Sequence, residues 1–261
     1  MEIITSRGNP LIARIRRLER DRAFRRQSGL ALCEGVKLWE EALRWGAAVD
    51  TVLFTEERRP ARIPEGVRAV QVPAALMESI SPVKTPQGLL FLARRPETRL
   101  PERLEGRCYL LLDGVQDPGN VGTIWRTADA FGADGLLLTG ECADPWHWKT
   151  VRASMGAAFR LPVWEVEPAA LGALLERSAL PLYGTALRED TVDVRTFDGG
   201  TAVIALGSEG RGLSAEVLAL CRQTWRIPMR PRCESLNVGV AAAVVLWELG
   251  RAAEDFAQRG E

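Results

Sequence analysis

The sequence is poor in the side chains that most often carry metal or nucleophilic chemistry. Its 261 residues include one histidine, His147, and five widely separated cysteines. An odd number of scattered cysteines with no CxxC pair is untypical of a disulfide scaffold or a structural zinc site. A single histidine excludes zinc sites that need two, and it leaves a Ser-His-Asp triad only one possible base. We therefore expect no metal at the functional site.

Long apolar runs are also lacking. A membrane helix needs about 20 apolar residues, and the longest candidate, 238–249, is shorter and contains Glu248. The first residues include Glu2 and lack the apolar segment of a secretory signal. The composition is 46% apolar, which favours packed domains. We expect a cytoplasmic protein.

Lysine is scarce, and the charges are unevenly distributed. Only three of the 34 basic residues are lysines, so 31 are arginines. Residues 1–106 hold 19 basic and 14 acidic side chains, whereas residues 107–261 hold 15 and 20. The arginine bias fits a GC-rich genome, and it equally fits phosphate recognition by the bidentate guanidinium group.

Much of the positive excess lies in the stretch 7–26. Apolar residues between Pro10 and Gln27 have helical spacing, so one face is expected to pack while arginines cover the rest. A solvated helix face and a polyanion-binding face both remain open. On the second interpretation the candidate phosphate contacts are Arg7, Arg14, Arg17 and Arg25.

Strands and helices alternate in both halves, which predicts two α/β domains. We place them at 1–96 and 107–261, joined by a charged, proline-containing linker at 97–106. The apolar strands of the second half predict a parallel sheet covered on both faces. Ligands of such sheets bind beyond the carboxyl ends of the strands, so the residues that follow each strand are the candidates.

Three loops that follow strands carry the relevant residues. In the first, Asn120 is expected to cap a helix that begins at Val121, with Arg126 reaching back from that helix. The second, 206–214, has glycines whose spacing matches neither a dinucleotide-binding motif nor a P-loop, which argues against a nucleotide-dependent oxidoreductase. The third ends in Ser235 and Asn237, both good cap residues for the last helix.

Taken together, the three loops resemble the three ordered motifs of the SpoU/TrmH family. These are S-adenosylmethionine-dependent RNA ribose 2′-O-methyltransferases of the SPOUT class. The matching residues are Asn120-x-Gly-x-x-x-Arg126, then Gly207-Ser-Glu-Gly-Arg-Gly-Leu-Ser, and Ile227-Pro-Met followed by Ser235-Leu-Asn-Val. The likeness covers about residues 107–250. The segments Thr5-Ser-Arg-Gly-Asn-Pro and Glu34-Gly-Val-Lys are similar, more loosely, to an attached L30e-type RNA-binding domain.

The resemblance implies a fold, a cofactor and a set of residue roles. It implies a small L30e-like domain followed by a parallel-sheet α/β domain with a deep trefoil knot, and a homodimer formed through the second domain. The catalytic roles carry over to Asn120, Arg126, Glu209, Ser235 and Asn237. S-adenosylmethionine would be bound by Leu206, Gly207, Gly212, Ile227, Met229, Ser235 and Leu236. RNA would be bound by the four arginines above and by Arg152.

Some positions depart from the family or stay open. The chain reads Arg230-Pro-Arg-Cys where a glycine is usual, and Trp125 stands where an aliphatic residue is common. Trp146 and Trp148 beside His147 form either a platform for unpaired bases or an anchor for a loop or dimer contact, and we prefer the anchor. Cys233 has no neighbouring histidine to activate it, so we expect no nucleophilic role.

The target RNA is not specified by the motifs. The basic first half favours a large structured RNA, so we predict 23S ribosomal RNA, with transfer RNA as the alternative. A non-catalytic RNA-binding protein of the same fold is a further alternative. It would be expected to lack Asn120, Arg126 or Asn237, and all three are present.

Overall fold

The computed structural model describes residues 2–96, 99–197, 199–230, 232 and 235–252. The chain divides into two compact units. The first contains the described residues up to 96 together with 144–159, and the second contains the described residues of 98–143 and 160–252. The first unit therefore takes residues from both sides of the predicted linker.

The first unit is built on a mixed sheet. Its strands are β1 (Glu2–Ile3), β2 (Leu30–Glu34), β3 (Val49–Phe54), β4 (Arg68–Gln71) and β5 (Leu89–Arg94). Its helices are α1 (Pro10–Arg20), α2 (Arg22–Ser28), α3 (Val36–Arg44), α4 (Ala74–Ile80) and α6 (Trp148–Ala153). In the described part of this unit the strand order is β1-β4-β3-β5-β2, and β5 runs antiparallel to its neighbours.

The second unit is built on an all-parallel sheet. Its strands are β6 (Cys108–Asp113), β7 (Gly135–Thr139), β8 (Val163–Glu165), β9 (Leu182–Thr185), β10 (Val192–Asp193), β11 (Ala202–Gly207) and β12 (Cys221–Arg226). Its helices are α5 (Pro118–Ala130), α7 (Pro168–Ser178), α8 (Ala215–Leu220) and α9 (Val238–Ala252). Among the described residues the order is β10-β12-β9-β11-β6-β7-β8, every pair parallel. The predicted parallel sheet is confirmed.

Alternate residues of the central strands explain why this sheet is covered on both sides. Leu111, Leu137 and Val203 pack with apolar residues of α7 and α8 in one cluster. Their neighbours Leu110 and Ile204 are also fully buried. Helices α5 and α9 contact the sheet at β7 and β11 and pack against each other. No helix in the described part of the chain is long and apolar enough to cross a membrane.

The stretch Pro10–Gln27 forms two helices rather than one. Asp21 adopts an extended conformation, ends α1 and caps α2 by accepting a hydrogen bond from the Phe24 amide at 2.9 Å. The break shifts the helical phase, so Arg25 is 3% exposed while Ala23 faces solvent. Strands β1, β2, β8, β9 and β10 and helix α7 are not predicted by the sequence, because short or weakly periodic segments carry little pattern.

Candidate active site

The three predicted loops leave the same edge of the parallel sheet. They follow β6, β11 and β12, and β11 pairs directly with β6. Since all the paired strands run in one direction, their carboxyl ends meet at one edge. The loops lie far apart in sequence, and the sheet gathers them at this edge.

The loop after β11 is a tight turn. Ser208 and Gly212 exchange two backbone hydrogen bonds, of 3.2 and 2.9 Å, and Gly212 has φ of +67°. A Cβ atom on Gly207 would overlap the backbone of Gly212 and Leu213. Ser214 then caps α8, accepting from the Val217 amide at 3.3 Å. The turn projects Glu209 into solvent at the sheet edge.

The loop after β6 begins its helix earlier than predicted. Helix α5 starts at Pro118, and its cap is Asp117, which accepts from the Asn120 amide at 2.8 Å. Asn120 therefore lies in the first turn and does not cap the helix. Its side chain is left available for contacts with other loops.

Amide side chains connect the three loops. The Asn120 Nδ2 group donates to the Glu209 carboxylate. The Asn237 Nδ2 group donates to Asn120 Oδ1 at 3.1 Å. Asn237 Oδ1 accepts from the amides of Gly239 and Val240 at 3.0 and 3.3 Å, so Asn237 caps α9. Residues 89 and 117 positions from Asn120 thus share its side chain.

Asp113 supports the same edge and was not among the predicted site residues. It ends β6, is 7% exposed, and its Oδ2 accepts from the Ser214 amide at 2.6 Å. This contact ties the first loop to the end of the glycine turn. The signal in the sequence is a charged residue at the carboxyl end of an apolar strand.

The remaining predicted site residues are placed as follows. Arg126 is exposed on α5 and makes no ion pair with the described residues. Ser235 and Leu236 are exposed, and Ile227 and Met229 are half-buried. The Leu206 side chain is 1% exposed, so only its backbone can face a cofactor.

The structure explains one of the two departures from the family, Trp125. Trp125 is fully buried, and its Nε1 group donates to the Leu161 carbonyl at 3.0 Å, so the larger side chain is accommodated in the core. Cys233 lies outside the described residues, and the stretch Arg230-Pro-Arg-Cys is described only in part.

The predicted RNA contacts are exposed with one exception. Arg7, Arg17 and Arg152 face solvent, and the Arg14 side chain is 39% exposed. Arg25 is corrected: it is buried and its guanidinium group already binds the Asp144 carboxylate and two backbone carbonyls. A buried guanidinium with these partners cannot serve as a phosphate contact.

The aromatic residues around His147 form an anchor in the first unit. Trp146 is 3% exposed, and Trp148 packs against the core of that unit. His147 caps α6 by accepting from the Lys149 amide at 3.3 Å. Burial lowers the pKa of His147, and the positive charge of Arg25 lowers it further. The platform interpretation is wrong for Trp146, which is buried, whereas Trp148 is half-buried.

Nucleophile and metal chemistry find little support among the described residues. Cys33, Cys108, Cys142 and Cys221 are free thiols. Burial raises the pKa of Cys142 and of Cys221 to about 11, which disfavours the reactive thiolate. The described residues contain no cluster of three potential metal ligands.

A parallel sheet whose polar loops converge at one edge is the architecture of an α/β enzyme. The SpoU rRNA methylase family profile matches residues 107–247, and that of the MRM3-like substrate binding domain matches residues 9–90. The chain belongs to the SpoU rRNA methylase family.

Relatives and solved structures agree over nearly the whole chain. The 23S rRNA (guanosine(2553)-2′-O)-methyltransferase of Bacillus subtilis is 32% identical over 86% of this chain and 90% of its own length. The 23S rRNA (uridine(2479)-2′-O)-methyltransferase of Streptomyces viridochromogenes is 34% identical over 88% and 86%. The crystal structure of the AdoMet-bound rRNA methyltransferase of Sinorhizobium meliloti is 32% identical in sequence and has a TM-score of 0.82. The match covers 96% of this chain and 97% of that one.

These findings confirm the predicted class of enzyme. The protein is an RNA 2′-O-methyltransferase that uses S-adenosylmethionine and carries an L30e-like substrate-binding domain at its N-terminal side. The structure has two α/β units, the first with a mixed sheet and the second with an all-parallel sheet, and residues 144–159 belong to the first unit.

Proposed function

We propose that this enzyme methylates one ribose 2′-hydroxyl in 23S ribosomal RNA. The observation that carries the proposal is the hydrogen-bonded set Glu209–Asn120–Asn237, which joins three strand-end loops at one edge of the sheet. The two relatives above act on 23S rRNA according to their names. The charge excess of residues 1–106 suits a large polyanion.

Methyl transfer to a ribose hydroxyl is an in-line displacement, so alignment of the reacting atoms is the main requirement. Holding them at attack distance contributes about 7–11 kcal/mol in favourable cases. In this chain the alignment would come from side chains that already hold one another. Asn120 uses both ends of its amide, one for Glu209 and one for Asn237.

The residues at this edge suit S-adenosylmethionine. The turn 207–212 offers backbone groups with no side chain at three of its positions, and Ile227 and Met229 offer half-buried apolar surface. We assign cofactor binding to these residues together with Leu206, Ser235 and Leu236. When bound, the cofactor supplies an electrophilic methyl group on a sulfonium.

Arg126 is assigned to the RNA rather than to proton abstraction. A guanidinium group resists deprotonation in proteins. It can instead hold a phosphate by two parallel hydrogen bonds and stabilise negative charge that develops on the attacking oxygen. Its exposure on α5, one turn and a half beyond Asn120, leaves the group accessible to RNA. Glu209 and Ser235 would orient the ribose and the cofactor.

Two architectural properties belong to the same proposal. We assign a trefoil knot to the second unit and a homodimer to the enzyme, both on the family relationship. A stripe of exposed apolar side chains on α9, formed by Val240, Val244 and Trp247, supports a second copy as the partner. This stripe lies on the helix that Asn237 caps, so dimerisation would adjoin the site.

The activity is tested with labelled S-adenosylmethionine and separate pools of 23S rRNA and tRNA. We expect label in 23S rRNA, at a nucleotide whose 3′ linkage becomes resistant to alkali. Label confined to tRNA would favour the alternative substrate. Binding of the cofactor without transfer to either RNA would contradict the proposal.

Replacing Arg126 by lysine tests its assigned role. Lysine keeps the charge but lacks the bidentate fork, so we expect turnover to fall by about 100-fold with unchanged cofactor affinity. Near-normal turnover would show that a bidentate clamp is not the role of Arg126.

A further inference from the structure

Residues 144–159, called here the α6 segment, follow β7 in the sequence but pack in the first unit. Trp146 is 3% exposed, and Val151 and Ala157 are fully buried. The Phe159 ring lies 6.5 Å from that of Phe91 on β5. Helix α6 contacts β2. The segment is therefore part of the core of the RNA-binding unit, although it lies outside the matched substrate-binding domain of residues 9–90.

One buried ion pair fixes the start of this segment. Arg25 Nε donates to Asp144 Oδ2 at 2.8 Å, and the two side chains are 3% and 8% exposed. Asp144 Oδ1 accepts from the Trp146 amide at 2.9 Å, and its backbone carbonyl accepts from the Thr150 hydroxyl at 2.9 Å. The carboxylate therefore holds α2 on one side and the first turn of the α6 segment on the other.

The geometry at Arg25 requires a guanidinium group. While Nε binds Asp144, Nη1 donates to the backbone carbonyls of Leu18 and Glu19 at 2.6 and 3.2 Å. A lysine has a single nitrogen and cannot reach these acceptors in two directions. A buried ion pair adds little net stability compared with well-packed apolar residues. The main effect of this pair is therefore to fix the α6 segment relative to α2.

The surface that this pair positions is cationic. Helix α6 exposes Lys149 and Arg152 and has no acidic residue. The positive charge of Arg152 acts on the carboxyl group of Glu34, which is 9% exposed. Burial raises the pKa of Glu34, while hydrogen bonds from Gln87 and Ser81 and the charge of Arg152 oppose that rise. Glu34 is thus engaged by Ser81 and Gln87, and the described residues give Arg152 no ion pair.

We infer that the buried Arg25–Asp144 ion pair positions Arg152, the exposed arginine that the family resemblance assigns to RNA, for contact with a phosphate. The inference rests on the proposed function, because RNA is the ligand. It assigns different tasks to two arginines: the exposed one contacts RNA, and the buried one holds the segment that carries it.

The test uses the full-length enzyme, 23S rRNA and three variants. Arg152→Gln removes the exposed charge, and Asp144→Asn removes the charge of the buried pair while keeping the shape. The third variant combines both changes. Arg20→Gln is the matched control, because that side chain is 78% exposed on α1 and loses the same charge. RNA affinity is measured by filter binding over a series of salt concentrations, and cofactor affinity by calorimetry.

Arg152→Gln is expected to weaken RNA binding about fivefold and to lower the salt slope of log K by about 1. Asp144→Asn is expected to weaken binding similarly, with cofactor affinity and kcat at saturating RNA retained. Because the pair acts through Arg152, the double variant should bind no more weakly than the weaker single variant. The Arg20→Gln control should stay within twofold of the wild type.

Wild-type affinity in Arg152→Gln, or a loss no larger than in Arg20→Gln, would overturn the phosphate contact. This arm does not depend on the stability of Asp144→Asn, since Arg152 is exposed. Additive losses in the double variant would overturn the positioning role. If the wild type binds but does not methylate 23S rRNA, the proposed function fails while the binding comparison still judges Arg152.

Discussion

His147 is the only histidine of the chain, so its titration can be followed without ambiguity. Burial and then the charge of Arg25 hold its pKa below the ordinary value of 6.5, against the opposing effect of Asp144. The folded state therefore favours the neutral ring. Its contribution to stability is present above about pH 6.5 and is lost as the pH falls through the lowered pKa.

We expect the free energy of unfolding to decrease relative to that of His147→Asn as the pH is lowered from 7.5 to 5.5. Asparagine keeps a side-chain acceptor for the Lys149 amide but does not titrate. Urea unfolding measures the difference, and the Hε1 resonance of the one histidine gives the pKa directly. A midpoint at or above 6.5 would contradict the assigned environment.

Asn120 is the second residue for which one substitution is decisive. Asn120→Asp removes the Nδ2 donor to Glu209 and places two carboxylates against each other. We expect kcat to fall about 100-fold, the usual scale for loss of one positioned donor in an active site. Single-turnover methylation at saturating cofactor measures the effect. Thr127→Ala, also on α5, is the control, because among the described residues that hydroxyl donates only to the Thr123 carbonyl of its own helix. Equal activity of the two variants would refute the role of Asn120.

At the scale of elements, the turn after β11 depends on one glycine and tolerates change at another. A Cβ on Gly207 would overlap backbone atoms of Gly212 and Leu213, whereas one on Gly210 would meet no atom of the described residues within 4 Å. We expect Gly207→Ala to weaken S-adenosylmethionine binding at least tenfold, because the backbone cannot give way as a flexible side chain could. Gly210→Ala should bind nearly normally. Calorimetric titration distinguishes the two, and equal affinities would exclude the turn from cofactor binding.

The elements also show where sequence patterns succeed. The pattern of apolar residues predicts strands at 108–112, 135–139 and 201–206 and a helix at 74–80. Strands β6, β7 and β11 and helix α4 lie there to within one residue, because a continuous apolar or strongly periodic run specifies its own buried face. The start of α5 was placed three residues late. Asn120 and Asp117 are both good caps, and only the hydrogen bond from the Asn120 amide to Asp117 decides between them.

At the scale of the whole molecule, the two units should respond differently to the cofactor. We expect S-adenosylmethionine to increase amide protection in 98–143 and 160–252. Protection of the α6 segment and of 2–96 should stay unchanged. At 100 times its dissociation constant, a ligand stabilises the part it binds by about 2.7 kcal/mol. Hydrogen-exchange mass spectrometry of the full chain measures this. Protection of the α6 segment together with the second unit would contradict its membership in the first.

The sequence by itself determined the class of this protein. Composition excluded a disulfide scaffold and a multi-histidine zinc site. Apolar strands predicted the parallel sheet, and three ordered motifs indicated the family. These properties are local, because each depends on residue types at short spacing. Tertiary structure alone decided which side chains meet: Glu209 and Asn237 at Asn120, Asp113 at Ser214, and Asp144 at Arg25. Such pairs are distant in the chain, and a pattern read along one strand or helix contains no information about the partner across the core. For the same reason the sequence could not show that Arg25 is buried and Arg152 exposed.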